Sequence, residues 1–329
     1  MTNLNTLDVV TIGEAMALLV AETPGPLAGV DRFVRSCAGA ELNVAVGLSR
    51  LGWRVGYVSR VGADPFGEYL LATLDAEGID RRHVQVQAQY STGFMLKSRE
   101  LAGADPQIAY FRKGSAASHM GPEDLPEATL SAARYLHITG ISMALSDSML
   151  ELVRAMVLRA RAAGVQVSLD PNLRARLWAS PQVMTDCINR MAALAHIVMP
   201  GLQEGQLLTG RATPEEIAAY YLDAGADQVV VKLGPRGAYA ATQSARTWVP
   251  GFQVGQVVDT VGAGDGFAVG VLSGLMDGLP LVEAVVRGNA IGARVVQFVG
   301  DSEGLPTPEA LAVALQAPRW SEAELRDSL

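Results

Sequence analysis

The stretch Asp259-Thr260-Val261-Gly262-Ala263-Gly264-Asp265-Gly266 places small residues ahead of an apolar segment, Phe267 to Met276, that reads as a helix. Gly262, Ala263 and Gly264 leave backbone N–H groups uncovered at the positive end of that helix, where a phosphate anion is stabilised. A carboxylate at the same helix start repels phosphate. Asp265 therefore has a chemical use there as a base that faces a second reactant and takes the proton from an attacking hydroxyl. The same residues also read as an ordinary helix N-cap behind a tight glycine turn. Two nucleotide signatures are missing: nothing matches the phosphate loop G-x-x-x-x-G-K-[ST], and Ile12-Gly13-Glu14-Ala15-Met16 lacks the glycines of a dinucleotide fingerprint. A dehydrogenase reading thereby loses its main support.

Such a helix end needs a scaffold, and the sequence supplies one by alternation. Tyr135 to Thr139, Val165 to Leu169, His196 to Met199 and Gln228 to Leu233 read as buried parallel strands. Between the first two, Asp147 to Ala163 carries Met149, Leu150, Leu152, Val153, Met156, Val157 and Ala160 as the stripe of a helix lying on a sheet. Strand, helix, strand in repetition predicts an α/β fold, a doubly wound and mostly parallel sheet flanked by helices with right-handed crossovers. The first third differs. Val84 to Leu96 and Ile108 to Arg112 look like strands separated by a Gly, Ala, Pro loop with no helix between them, and Ala15 to Val20 and Arg32 to Cys37 look similar. These strands, drawn from about 14–38 and 84–112, form either a small β lid or an extension of the main sheet's edge. The whole chain, 1–329, reads as a single domain with this appendage, without a long linker or a repeat of solenoid period.

Composition narrows the partners. Thirty-four acidic residues against 26 basic ones give a net charge of −8, which opposes attachment to nucleic acid or to an anionic membrane. The apolar run Val9 to Val20 is broken by Thr11, Gly13 and Glu14 and lacks the flanks of a secretory signal, and no window reaches the ~20 apolar residues of a membrane span. Cys37 and Cys187, the only cysteines, suggest neither a disulfide framework nor a cysteine metal site, so a reducing cytoplasm is the expected location. His83, His119, His137 and His196 are scattered without metal-ligand spacing and read as structural or surface residues.

With these pieces in place the chain resembles the ribokinase-like, or PfkB, family of carbohydrate kinases. The Asp259–Asp265 string is similar to the family's second signature, and Gly39-Ala40-Glu41-Leu42-Asn43-Val44-Ala45-Val46-Gly47-Leu48-Ser49-Arg50-Leu51-Gly52 to its first. Val61-Gly62-Ala63-Asp64-Pro65-Phe66-Gly67 and Lys232-Leu233-Gly234-Pro235-Arg236-Gly237 extend the likeness over nearly the whole chain. Within the family it looks most like the 2-keto-3-deoxygluconate kinases, on the strings Gly39–Asn43, Tyr110–Ser118 and Asp170-Pro171-Asn172-Leu173-Arg174. The resemblance implies that Gly39 and Asn43 contact sugar hydroxyls, that Tyr110, Arg112 and Arg174 bind the acid end, and that Asp301 closes over the substrate. It also implies that Lys232, Gly234, Gly237 and Asn289 border ATP. Tyr110 and Arg112, two apart on an expected strand, point to one face where a guanidinium can grip a carboxylate. Arg112 and Arg174 have a second reading as solvated surface arginines. Either glycine has a second reading as a chain turn, and Lys232 as a lysine snorkelling from a strand end.

The implied cofactors are ATP and Mg²⁺, with a monovalent cation left open; the implied partner is a small sugar acid, and homo-oligomerisation follows from an exposed lid face. Two departures stand out. Where the family often has Asn-x-x-Glu near the metal, this chain has Gly201-Leu202-Gln203-Glu204, so Glu204 alone is left for an indirect role at Mg²⁺. Met95 stands where the keto-acid kinases tend to carry tyrosine. A neutral-sugar kinase of the fructokinase or ribokinase type uses the same chemistry, and a catalytically silent nucleotide-binding protein is a third reading.

Overall fold

Strands buried on both faces need helices above and below them, and the sequence between successive strands provides them. The computed structural model describes residues 6–100 and 106–326. Its strands are β1 (Val9–Ile12), β2 (Met16–Pro24), β3 (Phe33–Ala38), β4 (Val55–Gly62), β5 (Asp80–Gln87), β6 (Phe94–Arg99), β7 (Ile108–Phe111), β8 (Tyr135–Thr139), β9 (Gln166–Asp170), β10 (Ile197–Val198), β11 (Gln228–Lys232), β12 (Gly237–Thr242) and β13 (Arg246–Pro250). Nine of them make one sheet in the order β13-β12-β11-β10-β9-β8-β1-β4-β5, parallel from β11 to β5 and antiparallel at β12 and β13. The four strands expected after residue 130 are β8 to β11, each within one residue of its expected bounds at either end. The helix Asp147–Ala162 starts on Ser146, whose hydroxyl accepts from Met149 N, and buries Met149, Leu152, Val153, Met156, Val157 and Ala160, whereas Leu150 of the expected stripe sits at its edge and is only half-buried.

The remaining four strands form a separate sheet, β3-β2-β6-β7. The run Val84 to Leu96 is two strands and not one. Its first half is the end of β5, which continues the large sheet beside β4, and its second half begins β6 of the small sheet. The break has a cause: Asp64 accepts from Thr92 N at 2.7 Å, and the Thr92 hydroxyl accepts from Gly62 N at 2.8 Å, which pins the chain in a turn between the sheets. Each of the two expectations for this region thus describes half of it. Residues 101–105 of the loop expected before β7 lie outside the described residues.

The chain crosses between the sheets four times, at 13–15, at Gly39, across 88–93 and after Phe111. The first crossing leaves the C-terminal end of β1, the edge of a parallel sheet where α/β proteins bind ligands. Gly39 approaches that crossing closely. Its φ of +145° is open to glycine, and a Cβ there would stand 2.5 Å from the Glu14 carbonyl oxygen.

The helix expected from Phe267 begins instead at Ala263 and runs to Met276. Alanine and glycine of the motif join its first turn because the helix is held by packing on both sides and needs no bulky residue there. It lies against the helix Leu281–Val295, and at Gly270 a Cβ would collide with the backbone of Arg287 and Gly288. Among the described residues no helix is long and apolar enough to cross a membrane. Gly270→Ala should therefore cost about 2–3 kcal/mol through overpacking against backbone that cannot yield. Gly255→Ala, at an exposed position with open space around the new methyl, should stay within about 0.5 kcal/mol. Chemical denaturation midpoints of the two variants measure the contrast.

Candidate active site

Gly262 adopts the left-handed conformation, φ 82°, and starts the helix Ala263–Met276 without a side-chain cap. The helical ladder opens with Gly266 N donating to Gly262 O at 2.8 Å, and Ala263 N makes only a long 3.5 Å contact with Thr260 O. The amides of Gly264 and Asp265 precede the ladder and stand at the positive helix end. From Asp265 onward the helix is almost wholly buried, while Val261 to Gly264 at its start are half-exposed on the cavity side. The ammonium of Lys232, at the end of β11, sits 3.6 Å from where a Gly264 Cβ would be.

Asp265 is buried beside this helix end, 8% exposed. Asn43, on the helix Ala40–Arg50, donates to Oδ2 at 2.7 Å, and Asn172 donates to Oδ1 at 3.3 Å. Burial pushes the Asp265 carboxyl up to about 7; the Asn43 hydrogen bond opposes this, the nearby Asp170 and Asp301 add to it, and Arg174 opposes it. A carboxylate whose pKa burial lifts to about 7, and which two amides orient, suits a proton acceptor. Asn172 is the one described non-glycine residue with positive φ, 37°, a region asparagine tolerates, and its N–H is tied to Asp170 Oδ1 at 3.1 Å.

Two cavities meet at this helix end. The larger, of about 920 Å³, is lined by Gly39, Asn43, Tyr110, Arg112, Arg174, Asp301, Gly262, Gly264, Asp265, Lys232 and Glu204 among others. The smaller, of about 430 Å³, is lined by Gly234, Gly237, Asn289, Ala263, Gly264 and Lys232 together with a largely apolar wall. Lys232, Thr260 and Gly264 belong to both. All fifteen candidate site residues named from the sequence thus fall on one cavity or the other.

Several are engaged differently from the sequence expectation. Arg112 lies just past the end of β7, and its Nε and Nη2 are 2.6 Å and 2.5 Å from Glu14 Oε2, while Ser115 donates to the other oxygen of Glu14. Its guanidinium is already paired with a buried carboxylate. Asp301 accepts from Lys97 Nζ at 2.8 Å, and the same ammonium is 2.5 Å from Asp259 Oδ2. Asp259 in turn accepts from Val261 N and Gly300 N, so this buried lysine of the small sheet fixes the loop that leads into the helix end. Asn289 donates to the carbonyls of Val249 and Pro250 at 3.1 Å and 3.3 Å, which anchors β13. Glu204 takes Leu173 N and Gly201 N, both at 2.7 Å, and thereby orders the segment that carries Asn172 and Arg174. Lys232 donates to Asp170 at 2.7 Å; burial works against its charge, but Asp170 and Glu204 outweigh burial and hold its pKa above the usual value.

Sequence reasoning passed over Glu14, Glu41, Lys97, Asp170 and Asn172. A signal existed for the first three: each is a charge inside an apolar run, and a buried charge needs partners. Glu41 finds them in Thr139 and Ser142, and burial raises its pKa. Among the described residues no group of His, Cys, Asp and Glu side chains could hold a metal ion alone.

The chain's similarities agree with this geometry. A model of pfkB family carbohydrate kinases matches residues 6–308. The 2-dehydro-3-deoxygluconokinase of Bacillus subtilis (strain 168) is 49% identical over 314 residues, covering 95% of this chain and 97% of the relative. The crystal structure of a PfkB protein from Polaromonas sp. JS666 aligns with a TM-score of 0.86 at 52% identity, over 93% of this chain and 99% of that one. A putative ribokinase II from E. coli, solved in complex with ATP and Mg²⁺, aligns with a TM-score of 0.86 at 28% identity, over 94% and 99%.

Two stability measurements test the electrostatics. Folded Asp265 takes up its proton near 7 and an unperturbed aspartate near 3.8, so between these values the folded state binds more protons and stability falls as pH rises. Asp265→Asn removes that penalty: its Tm should exceed the parent's at pH 8, by the equivalent of a few kcal/mol at most, with the gain fading as pH drops towards 4. Lys97→Met should lose about 3–5 kcal/mol, because it leaves Asp259 and Asp301 buried without a cation.

Proposed function

Because the chain belongs to the pfkB family of carbohydrate kinases, we propose that it transfers the γ-phosphate of ATP to 2-keto-3-deoxygluconate, giving 2-keto-3-deoxy-6-phosphogluconate. The observation that carries this reading is the junction of the two cavities at Lys232, Thr260 and Gly264, with Asp265 on the side of the larger one. The substrate is suggested by the Bacillus subtilis relative, whose name specifies the same keto acid, 2-dehydro being another word for its 2-keto group.

The sugar occupies the larger cavity with its terminal hydroxyl beside Asp265, and ATP occupies the smaller one with its phosphates towards Lys232. Asp265 accepts the hydroxyl proton as the oxygen forms its bond to the γ-phosphorus and the bond to the β-phosphate oxygen breaks, releasing ADP. Asn43 and Asn172 orient the carboxylate. The amides of Gly264 and Asp265, with the Lys232 ammonium, stabilise the charge on the transferring group. Gly39 and Asn43 contact sugar hydroxyls, and Tyr110 and Arg174 face the acid end, with Arg112 acting through its pair with Glu14. Asp301 closes the cavity from its late loop. Mg²⁺ would screen the phosphates, held by them and through water by Asp170 and Glu204, a donor set that suits a hydrated ion. The donor nucleotide and the unpaired cysteines agree with a cytoplasmic protein. Val34 and Phe111, both exposed on the small sheet, are where copies would pair; a monomeric mass in light scattering removes that part of the proposal.

One observation favours a second reading. Arg112 is neutralised by Glu14, which leaves less positive charge for a carboxylate and suits a neutral sugar. Substrate-dependent ADP release from MgATP, comparing 2-keto-3-deoxygluconate with fructose and ribose, separates the two. Selective turnover of the keto acid, with its KM raised at least about tenfold by Arg174→Ala, supports the acid reading; turnover of fructose or ribose alone removes it. Asp265→Asn should lower kcat by orders of magnitude while both ligands still bind. In the parent, kcat/KM should fall about tenfold per unit below pH 7, as the base becomes protonated. The same assay with and without potassium decides the place of a monovalent cation.

A further inference from the structure

The smaller cavity has a wall that the family match does not include. That match ends at residue 308, whereas Trp320 lines the cavity together with Phe252, Val254 and Phe267. The segment around Trp320 is built into place. Gln253 N donates to Pro318 O at 2.8 Å, Trp320 N donates to Gly251 O at 3.0 Å, and Phe252 and Arg319 form an antiparallel bridge, so 318–320 runs as an added strand along the cavity-lining segment 251–253. The guanidinium of Arg236 lies 4.5 Å from the centre of the indole ring, a cation–π contact that fixes its orientation.

The polar groups of this cavity are unevenly engaged. Lys232 and Gly264 stand at the junction with the larger cavity, which makes that end the place for phosphates. Asn289, expected to border adenine, has its amide donors on two backbone carbonyls. The indole Nε1–H of Trp320 is itself buried, so what Trp320 presents to the cavity is its apolar ring.

We propose that Trp320 is a nucleotide-binding residue: its indole is the wall on which the purine base of the nucleoside triphosphate packs. The inference rests on the nucleotide assignment above and extends it to a part of the chain beyond the family match.

The test compares ATP with inorganic tripolyphosphate, which has the charge but no base, by calorimetry on the full chain. Parent protein that binds ATP but shows no base contribution is thereby distinguished from parent protein that binds no ATP, which would remove the nucleotide assignment itself. Trp320→Ala should weaken ATP about tenfold, leave tripolyphosphate unchanged, and leave the KM of the sugar unchanged, since base–aromatic stacking acts on the base alone. An unchanged ATP affinity in a variant that melts like the parent, or equal weakening of both ligands, overturns the proposal. Trp320→Phe guards against loss of fold: it should keep most of the affinity but abolish the change in tryptophan fluorescence that ATP causes in the parent, leaving Trp53, Trp178 and Trp248 unresponsive. A response that survives in Trp320→Phe overturns the proposal as well.

Discussion

Carboxylates taken out of water at the ends of parallel strands must each be met by a donor, and this constraint holds the site together. Glu14, Glu41, Asp170, Asp259, Asp265 and Asp301 are all buried around the two cavities. Their partners are, in turn, Arg112, Ser142, Lys232, Lys97, Asn43 and again Lys97. None of these partners is local: even the nearest, Lys232 to Asp170, is 62 residues away, and the farthest, Asn43 to Asp265, is 222. An isolated buried carboxylate would protonate or recruit water, so the site's electrostatics exist only when both sheets and the late loops have closed on one another.

Within that cluster the partners divide the labour. The hydrogen-bond donors to Asp265 are two neutral amides, which orient its carboxyl and offset only part of what burial does to its pKa. Asp301 and Asp259 share an ammonium and serve as structural anchors of the loops on either side of the helix end. Carboxyl groups in one cavity thus take different chemical parts according to what donates to them.

The features legible in the sequence were those that depend on neighbours along the chain. The strands β8 to β11 and the helix Asp147–Ala162 declare themselves by period, and Gly262 to Asp265 by the coincidence of small residues with a helix start. What escaped depended on closure. Ser91-Thr92-Gly93 inside Val84 to Leu96 is the break between the sheets, but its partners, Asp64 and Gly62, lie outside that run and show only when the chain has folded. The helix start at Ala263 was hidden by the low intrinsic helical preference of glycine, which packing against Leu281–Val295 overrides. Arg112 was visible as a cation sharing a strand face with Tyr110, but its pairing with Glu14 requires the crossing at residues 13–15 to fold back on the end of β7.

The lining of the two cavities also partitions the chain. Every residue around the smaller cavity lies at or after Lys232, whereas the larger one draws most of its wall from residues before 178. On the assignment proposed above, the two halves of the reaction are encoded in nearly separate stretches of sequence, joined at a lysine, a threonine and a glycine. Such a division lets acceptor choice drift through substitutions in the small sheet and the 172–177 segment while the donor half stays intact. A lineage with this layout can explore new alcohols without relearning how to hold a triphosphate.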